Sequence, residues 1–110
     1  MLAKANRLKK KKEFNFIYKK GEVYYSKFFA LYVAKTKLKV CKIGFSVSNK
    51  VGNSVIRHKV KRRLSEAVRL VINQLPQNNY IFVAKAGSET LTFDEIKQNV
   101  DYVLKKAKIV

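Results

Sequence analysis

The chain has 110 residues, 25 of them Lys or Arg against 7 Asp or Glu, for a formal net charge of +18. Its apolar fraction of 47%, with 7 Phe and 6 Tyr, is too high for a disordered basic tail and suits one small folded domain spanning residues 1–110. One Cys cannot form an intrachain disulfide and suits a reducing, cytoplasmic compartment, and without a membrane-length apolar run or a signal-peptide h-region neither a membrane span nor secretion is expected.

Residues 1–12 hold Arg7 and the run Lys9, Lys10, Lys11 and Lys12 with little apolar content, so they are expected to form an exposed, flexible basic arm. Phe14, Ile17 and Tyr18 then recur at helical spacing, which predicts a short helix over 13–20 ended by Gly21. Residues 22–35 are dense in β-branched and aromatic types, with Phe29, Leu31 and Val33 on one face and Phe28, Ala30, Tyr32 and Ala34 on the other. A break in this stretch would make two strands of one. After a polar turn at 35–39, residues 40–48 alternate, placing Ile43, Phe45 and Val47 against Gly44, Ser46 and Ser48. Pairing of these two segments as a hairpin would give one large apolar face for a core. The other face would be small and hydroxylated beside Tyr32, leaving a shallow groove.

Gly52-Asn53-Ser54 is a stop-and-cap signal for a helix expected from about 55 to 75, ending before Pro76. Its apolar stripe is Val60, Leu64, Ala67, Val68, Val71 and Leu75. The run Tyr80-Ile81-Phe82-Val83-Ala84 suits a strand buried on both faces. A last amphipathic helix is expected at 93–107, with Ile96, Val100, Val103, Leu104 and Ala107 inward and Asp94 and Glu95 in its first turn. Helix–strand–strand–helix–strand–helix, with a further strand if 22–35 is broken, reads as an α+β sandwich.

The charge is unevenly spread along these elements. Residues 1–72 carry 20 Lys/Arg and 3 acids, while residues 73–110 carry 5 and 4. The last third therefore reads as scaffold and the first two-thirds as the surface for a polyanion. The helix beginning near 55 is the most informative segment. Five cations fall within the seven residues 57–63 with no acid among them. Lys61, His58, Arg69, Arg62, Lys59 and Arg63 sweep round the side away from the apolar stripe, and Arg57 lies near its edge. Such a ridge repels itself without a partner, and it fits a phosphate backbone whose counterions it would release. Arg57, Arg62 and Arg63 can each grip a phosphate in a bidentate fork, which Lys cannot. Cationic spacing alone does not separate RNA from DNA, but strands precede this helix where a helix-turn-helix partner would be needed.

At this segment the sequence resembles the bacterial ribonuclease P protein subunit family and its RNR signature. That family has a strand ending Ser-Val-Ser, then Gly-Asn, then a helix opening Arg-Asn-Arg and continuing Lys-Arg. Here Phe45-Ser46-Val47-Ser48 leads to Gly52-Asn53 and then to Arg57-His58-Lys59-Val60-Lys61-Arg62-Arg63-Leu64. Asn6-Arg7-Leu8 with Phe14 and Tyr18 resembles the family's N-terminal segment, and Phe29-Ala30-Leu31-Tyr32 its first strand. His58 stands where the family usually has Asn, Lys59 where it has Arg, and Asn49 where Lys is common. Lys59 keeps the charge and loses the fork.

The resemblance implies a small two-layer α+β sandwich in the order α-β-β-(β)-α-β-α, like domain 2 of ribosomal protein S5. It implies a subunit of the ribonucleoprotein that removes the 5′ leader from precursor tRNA, with the catalytic centre and its Mg²⁺ in the RNA subunit. The expected partners are ribonuclease P RNA, bound 1:1, and precursor tRNA, with no membrane. Asn53, Arg57, His58, Lys59, Lys61, Arg62 and Arg63 would meet the catalytic RNA. Phe14, Tyr18, Tyr32, Ser46 and Ser48 would line a groove for the leader, and Arg7 with Lys9–Lys12 would add backbone contacts. No protein residue is expected to be catalytic. His58 is the only His and has no acid pair or metal-spaced cluster beside it. The alternative is another basic RNA-binding protein, such as a ribosomal one, with no role in cleavage.

Overall fold

The structure is a computed structural model that describes residues 4–36 and 40–109. Most of the turn expected at 35–39, and the first three residues of the basic arm, fall outside this range. In chain order the elements are α1 (Lys11–Lys20), β1 (Glu22–Tyr25), β2 (Phe29–Lys35), β3 (Lys42–Val47), α2 (Ser54–Arg69), β4 (Asn78–Ala84) and α3 (Phe93–Lys106). The α+β order expected from the sequence is therefore present, and the 22–35 segment is broken into two strands.

The sheet order is β1-β2-β4-β3, with β1, β2 and β4 antiparallel and β3 parallel to β4. The expected hairpin between 22–35 and 40–48 does not form, because β4 separates β2 from β3. Burial explains this placement. In β4, Tyr80, Ile81, Phe82 and Ala84 are all buried, so the strand is covered on both faces and flanked by strands on both edges. The hairpin in this sheet is instead β1–β2, with Glu22 opposite Val33 and Tyr25 opposite Ala30. Parallel pairing of β3 and β4 requires a crossover, and α2 supplies it.

Alternation along the strands divides the apolar residues into two clusters. Phe29, Leu31, Ile43, Tyr80 and Phe82 face α2 and α3, whose Val60, Leu64, Val68, Ile96, Val100 and Leu104 complete the main core. On the opposite face Leu8, Ile17, Ala34 and Ile81 form a smaller cluster under α1. Helix α1 stops where predicted. The Gly21 amide donates to the Ile17 carbonyl at 2.8 Å, and a Cβ on Gly21 would lie 2.6 Å from that carbonyl and 2.9 Å from the Val33 carbonyl. Only glycine lets the chain turn that tightly from helix into strand.

Helix α2 is shorter than expected. It ends at Arg69 rather than 75, and a 3₁₀ turn at Ile72–Gln74 follows. A straight continuation would carry the chain away from the sheet. The tighter turn instead returns Leu75 to the core, 7% exposed, three residues before β4. Helix α3 matches its prediction and is charged as the helix dipole prefers, with Asp94 and Glu95 in the first turn and Lys105 and Lys106 in the last. Its capping box is closed: Thr92 Oγ1 accepts from the Glu95 amide at 3.2 Å, and Glu95 accepts from the Thr92 amide at 2.9 Å.

Candidate nucleic-acid interface

Helix α2 is capped by Asn53, whose Oδ1 accepts from the Ile56 amide at 3.0 Å. Beyond the cap its charge runs against the dipole preference. No acid lies in its first turn, and Arg57, His58 and Lys59 crowd the N-terminal half. His58, Lys59, Lys61, Arg62 and Arg63 are all exposed, while Val60 and Leu64 anchor the helix beneath them.

The seven predicted ridge residues are not equivalent. Arg57 is half-buried, and its Nη1 donates to Asn49 Oδ1 at 2.8 Å, so Asn49 and Arg57 hold each other across the turn before the helix. Its Nε is buried with no partner among the described residues. Arg63 leans the other way, with Nη1 3.5 Å from the Leu91 carbonyl. Arg69 is paired with Glu66 at 3.0 Å and so leaves the unpaired set. His58, Lys59, Lys61 and Arg62 remain as the outward row.

The described part of the basic segment, residues 4–12, joins this row. The Asn6 side chain donates to the Cys41 carbonyl at 2.8 Å, and the Leu8 amide donates to the Ile43 carbonyl at 3.0 Å. Leu8 is buried, while Arg7, Lys9, Lys10, Lys11 and Lys12 are exposed. Arg7 bridges to Ile43 at the β3 edge, and it shares a small cavity of about 100 Å³ with Lys61. Segment and helix thus form one cationic surface along β3. Sequence spacing gave no sign of this junction, because residues 7 and 61 meet only through β3.

The predicted groove lies on the α1 side of the sheet. Residue 44 must be glycine for it to form: a Cβ there would lie 2.5 Å from Phe14 Cζ. Phe14 therefore rests on the backbone of β3. Tyr18 stands edge-on to Tyr32, with centroids 4.8 Å apart at 88°, and Phe14 and Tyr18 are 6.4 Å apart at 43°. The three predicted aromatics form one wall, all partly exposed. Ser46 continues the small face of β3, half-buried. Ser48 lies at the groove's end, where its Oγ accepts from the Lys50 amide at 3.2 Å. Burial, then the nearby Tyr25 and Tyr18, raises the Tyr32 phenol above its ordinary pKa, so the hydroxyl stays neutral.

Tyr25 is a groove residue that sequence reasoning missed. It pairs with Ala30 and so shares the face of Tyr32; it is 52% exposed, and Lys85 Nζ lies 5.5 Å from its ring centroid. Its side could be read only once the strand break at 26–28 was fixed. Cys41, by contrast, is buried as expected, and burial pushes its thiol up to about 11. Among the described residues no three of His, Cys, Asp and Glu come together as metal ligands, and no helix is long and apolar enough to cross a membrane.

An aromatic groove beside an outward cationic row, on a basic α+β scaffold, presents flat faces of the kind single-stranded bases stack on next to charges of the kind that bind a phosphate backbone. Comparison with known proteins narrows this reading. The family profile described as Ribonuclease P matches residues 2–108. The ribonuclease P protein component of Clostridium botulinum (strain 657, type Ba4) is 38% identical over 108 residues, covering 96% of this chain and 97% of that protein. That of Lactococcus lactis (strain IL1403) is 34% identical, covering 98% and 92%. The solved Staphylococcus aureus RNase P protein superposes with a TM-score of 0.90 at 34% identity, over 96% of this chain and 98% of that one. The chain belongs to the ribonuclease P protein family. It is thus the protein component of ribonuclease P, a subunit of that ribonucleoprotein endoribonuclease and a partner of its RNA, and the ribosomal alternative is set aside.

Proposed function

We propose that this chain binds ribonuclease P RNA through the cationic surface and the 5′ leader of precursor tRNA through the aromatic groove. On this reading Asn53 fixes the start of α2, and Arg57, His58, Lys59, Lys61, Arg62 and Arg63 meet the catalytic RNA. Arg7 and Lys9–Lys12 add backbone contacts from a segment that Asn6 and Leu8 tie to the β3 side of the fold. Phe14, Tyr18 and Tyr32, with Ser46 and Ser48, receive the leader. The observation that carries the proposal is the adjacency of the two surfaces across β3, with Phe14 seated on Gly44 and Lys61 sharing a cavity with Arg7 on the same strand.

The chemistry of the two surfaces differs as the task requires. Bases stacked on aromatic rings gain about 1–3 kcal/mol each with little sequence demand, which suits an enzyme meeting many leaders. Forked guanidiniums and ammoniums instead neutralise phosphates and release counterions. Mg²⁺ needs several oxygen ligands in octahedral geometry, whereas the Lys and Arg of the exposed row are protonated and have no lone pair for a metal. On this reading the ion required for cleavage is held by the RNA. The protein's part is to hold substrate and RNA together, as one copy per RNA, in the cytoplasm.

Reconstitution tests the reading. Added to a bacterial ribonuclease P RNA, the chain should raise precursor-tRNA cleavage at low Mg²⁺ and lower the Mg²⁺ needed for half-maximal rate. No change across the Mg²⁺ titration would reject it.

A further inference from the structure

At the end of the sheet where β1 turns into β2, three lysines sit over three aromatic rings. Lys27 Nζ is 5.4 Å from the Phe28 ring centroid, Lys85 Nζ is 5.5 Å from that of Tyr25, and Lys106 Nζ is 5.9 Å from that of Tyr102. Backbone carbonyls hold two of these ammonium groups in place. Lys85 donates to Ser26 at 2.8 Å and Lys106 donates to Tyr25 at 2.9 Å. A shallow cleft of about 500 Å³ runs between Tyr25, Lys27, Tyr102 and Lys106, crossing from the β1 edge onto α3.

Phe28 is half-buried against the main core, but the other two rings are not part of it. Tyr25 is 52% exposed and Tyr102 is 56% exposed, on an otherwise near-neutral helix. None of the three lysines has an ion-pair partner among the described residues. Glu95, two turns before Tyr102 on α3, is committed to the Thr92 amide. Exposed rings alternating with fixed cations present what single-stranded RNA contacts: flat faces for bases and charges for the phosphates between them. Tyr25 also shares the sheet face of Tyr32, so the cleft begins where the groove ends.

We infer that the leader does not stop in the groove: its 5′-distal nucleotides cross the β1 edge at Tyr25 and bind on α3 at Tyr102 and Lys106. The inference rests on the leader-groove reading and extends its path. It makes leader affinity depend on length in two stages, the second belonging to α3.

The test measures the affinity of the reconstituted holoenzyme for precursor tRNAs whose all-uridine leaders grow one nucleotide at a time, under conditions that prevent cleavage. The Tyr102→Leu/Lys106→Gln double variant should match the parent for short leaders. It should lose about 5- to 10-fold once the leader outgrows the groove. Tyr102→Phe keeps the ring and should keep the affinity. Tyr32→Ala should lose affinity at every leader length. A double variant that is neutral at all lengths, or that loses equally on mature tRNA, overturns the inference. A length-dependent loss in the double variant with no effect of Tyr32→Ala keeps the α3 site and removes the groove instead. Both side chains are exposed, so an unchanged thermal midpoint is the control for folding.

Discussion

Replacing Tyr32 by Ala removes one ring from the groove and the edge-on partner of Tyr18, 4.8 Å away. Two effects follow, and they differ in size and in readout. Within the protein, the aromatic pair is worth about 0.5–1.5 kcal/mol beyond its buried area, so stability should fall modestly. In the complex, one lost base stack costs about 1–3 kcal/mol, or roughly 5- to 150-fold in affinity. Tyr18 loses its brace as well, which moves the expected loss toward the upper part of that range. The assay is equilibrium binding of the reconstituted holoenzyme to precursor tRNA and to mature tRNA in parallel. Tyr32→Ala should weaken the first and spare the second, so that the gap between the two affinities closes. Tyr32→Phe keeps the ring and should bind nearly as the parent does, because stacking uses the ring and the hydroxyl it removes is uncharged. An equal loss on both RNAs would refute the groove. A loss in Tyr32→Phe as large as in Tyr32→Ala would refute stacking as its basis.

Arg62 is exposed and has no ion-pair partner among the described residues. Arg62→Ala should weaken binding to the catalytic RNA and lower the slope of log affinity against log salt by about 1; an unchanged slope takes the ridge out of that interface. At Gly44 even a Cβ would reach within 2.5 Å of the Phe14 ring and 3.1 Å of Leu8. Gly44→Val should therefore cost about 1–3 kcal/mol of stability and lower leader-dependent affinity together, read by thermal unfolding and by binding; loss of neither means that Phe14 does not rest there. Cys41 gives a pH prediction whose sign follows from its raised pKa. Its stabilising contribution is complete below pH 9.0 and is lost as pH rises to about 11, because the unfolded chain gives up the proton first. The thiol should resist alkylation in the folded protein at pH 8, and Cys41→Ala should flatten the alkaline loss of stability between pH 9.0 and about 11, measured by denaturant unfolding.

The sequence by itself determined the composition of every surface. Period-two alternation assigned Phe29, Leu31 and Val33 to one face and Ala30, Tyr32 and Ala34 to the other, because successive strand residues must point apart. Period 3.6 set the buried stripe of α2 and hence the cationic row opposite it, and Gly52-Asn53-Ser54 announced its cap, with the structure choosing Asn53 over Ser54. The double-sided apolar run at 80–84 marked a covered strand. What the sequence left open was which distant segments meet. Pairing of β3 with β4 rather than with the 22–35 segment depends on which strand gains most from a central position, and local pattern carries no such term. The same holds for the end of α2, where the pattern of Val71 and Leu75 continues a helical period while the route back to β4 requires a tighter turn. It holds too for the junction of Arg7 with Lys61, for the Asn49–Arg57 pair and for Tyr25 at the lip of the groove. Each of these depends on how the chain turns or on contacts between separate segments, which the local pattern does not carry. Charge and periodicity are local properties of a chain, whereas a binding surface is built from the segments that packing brings together.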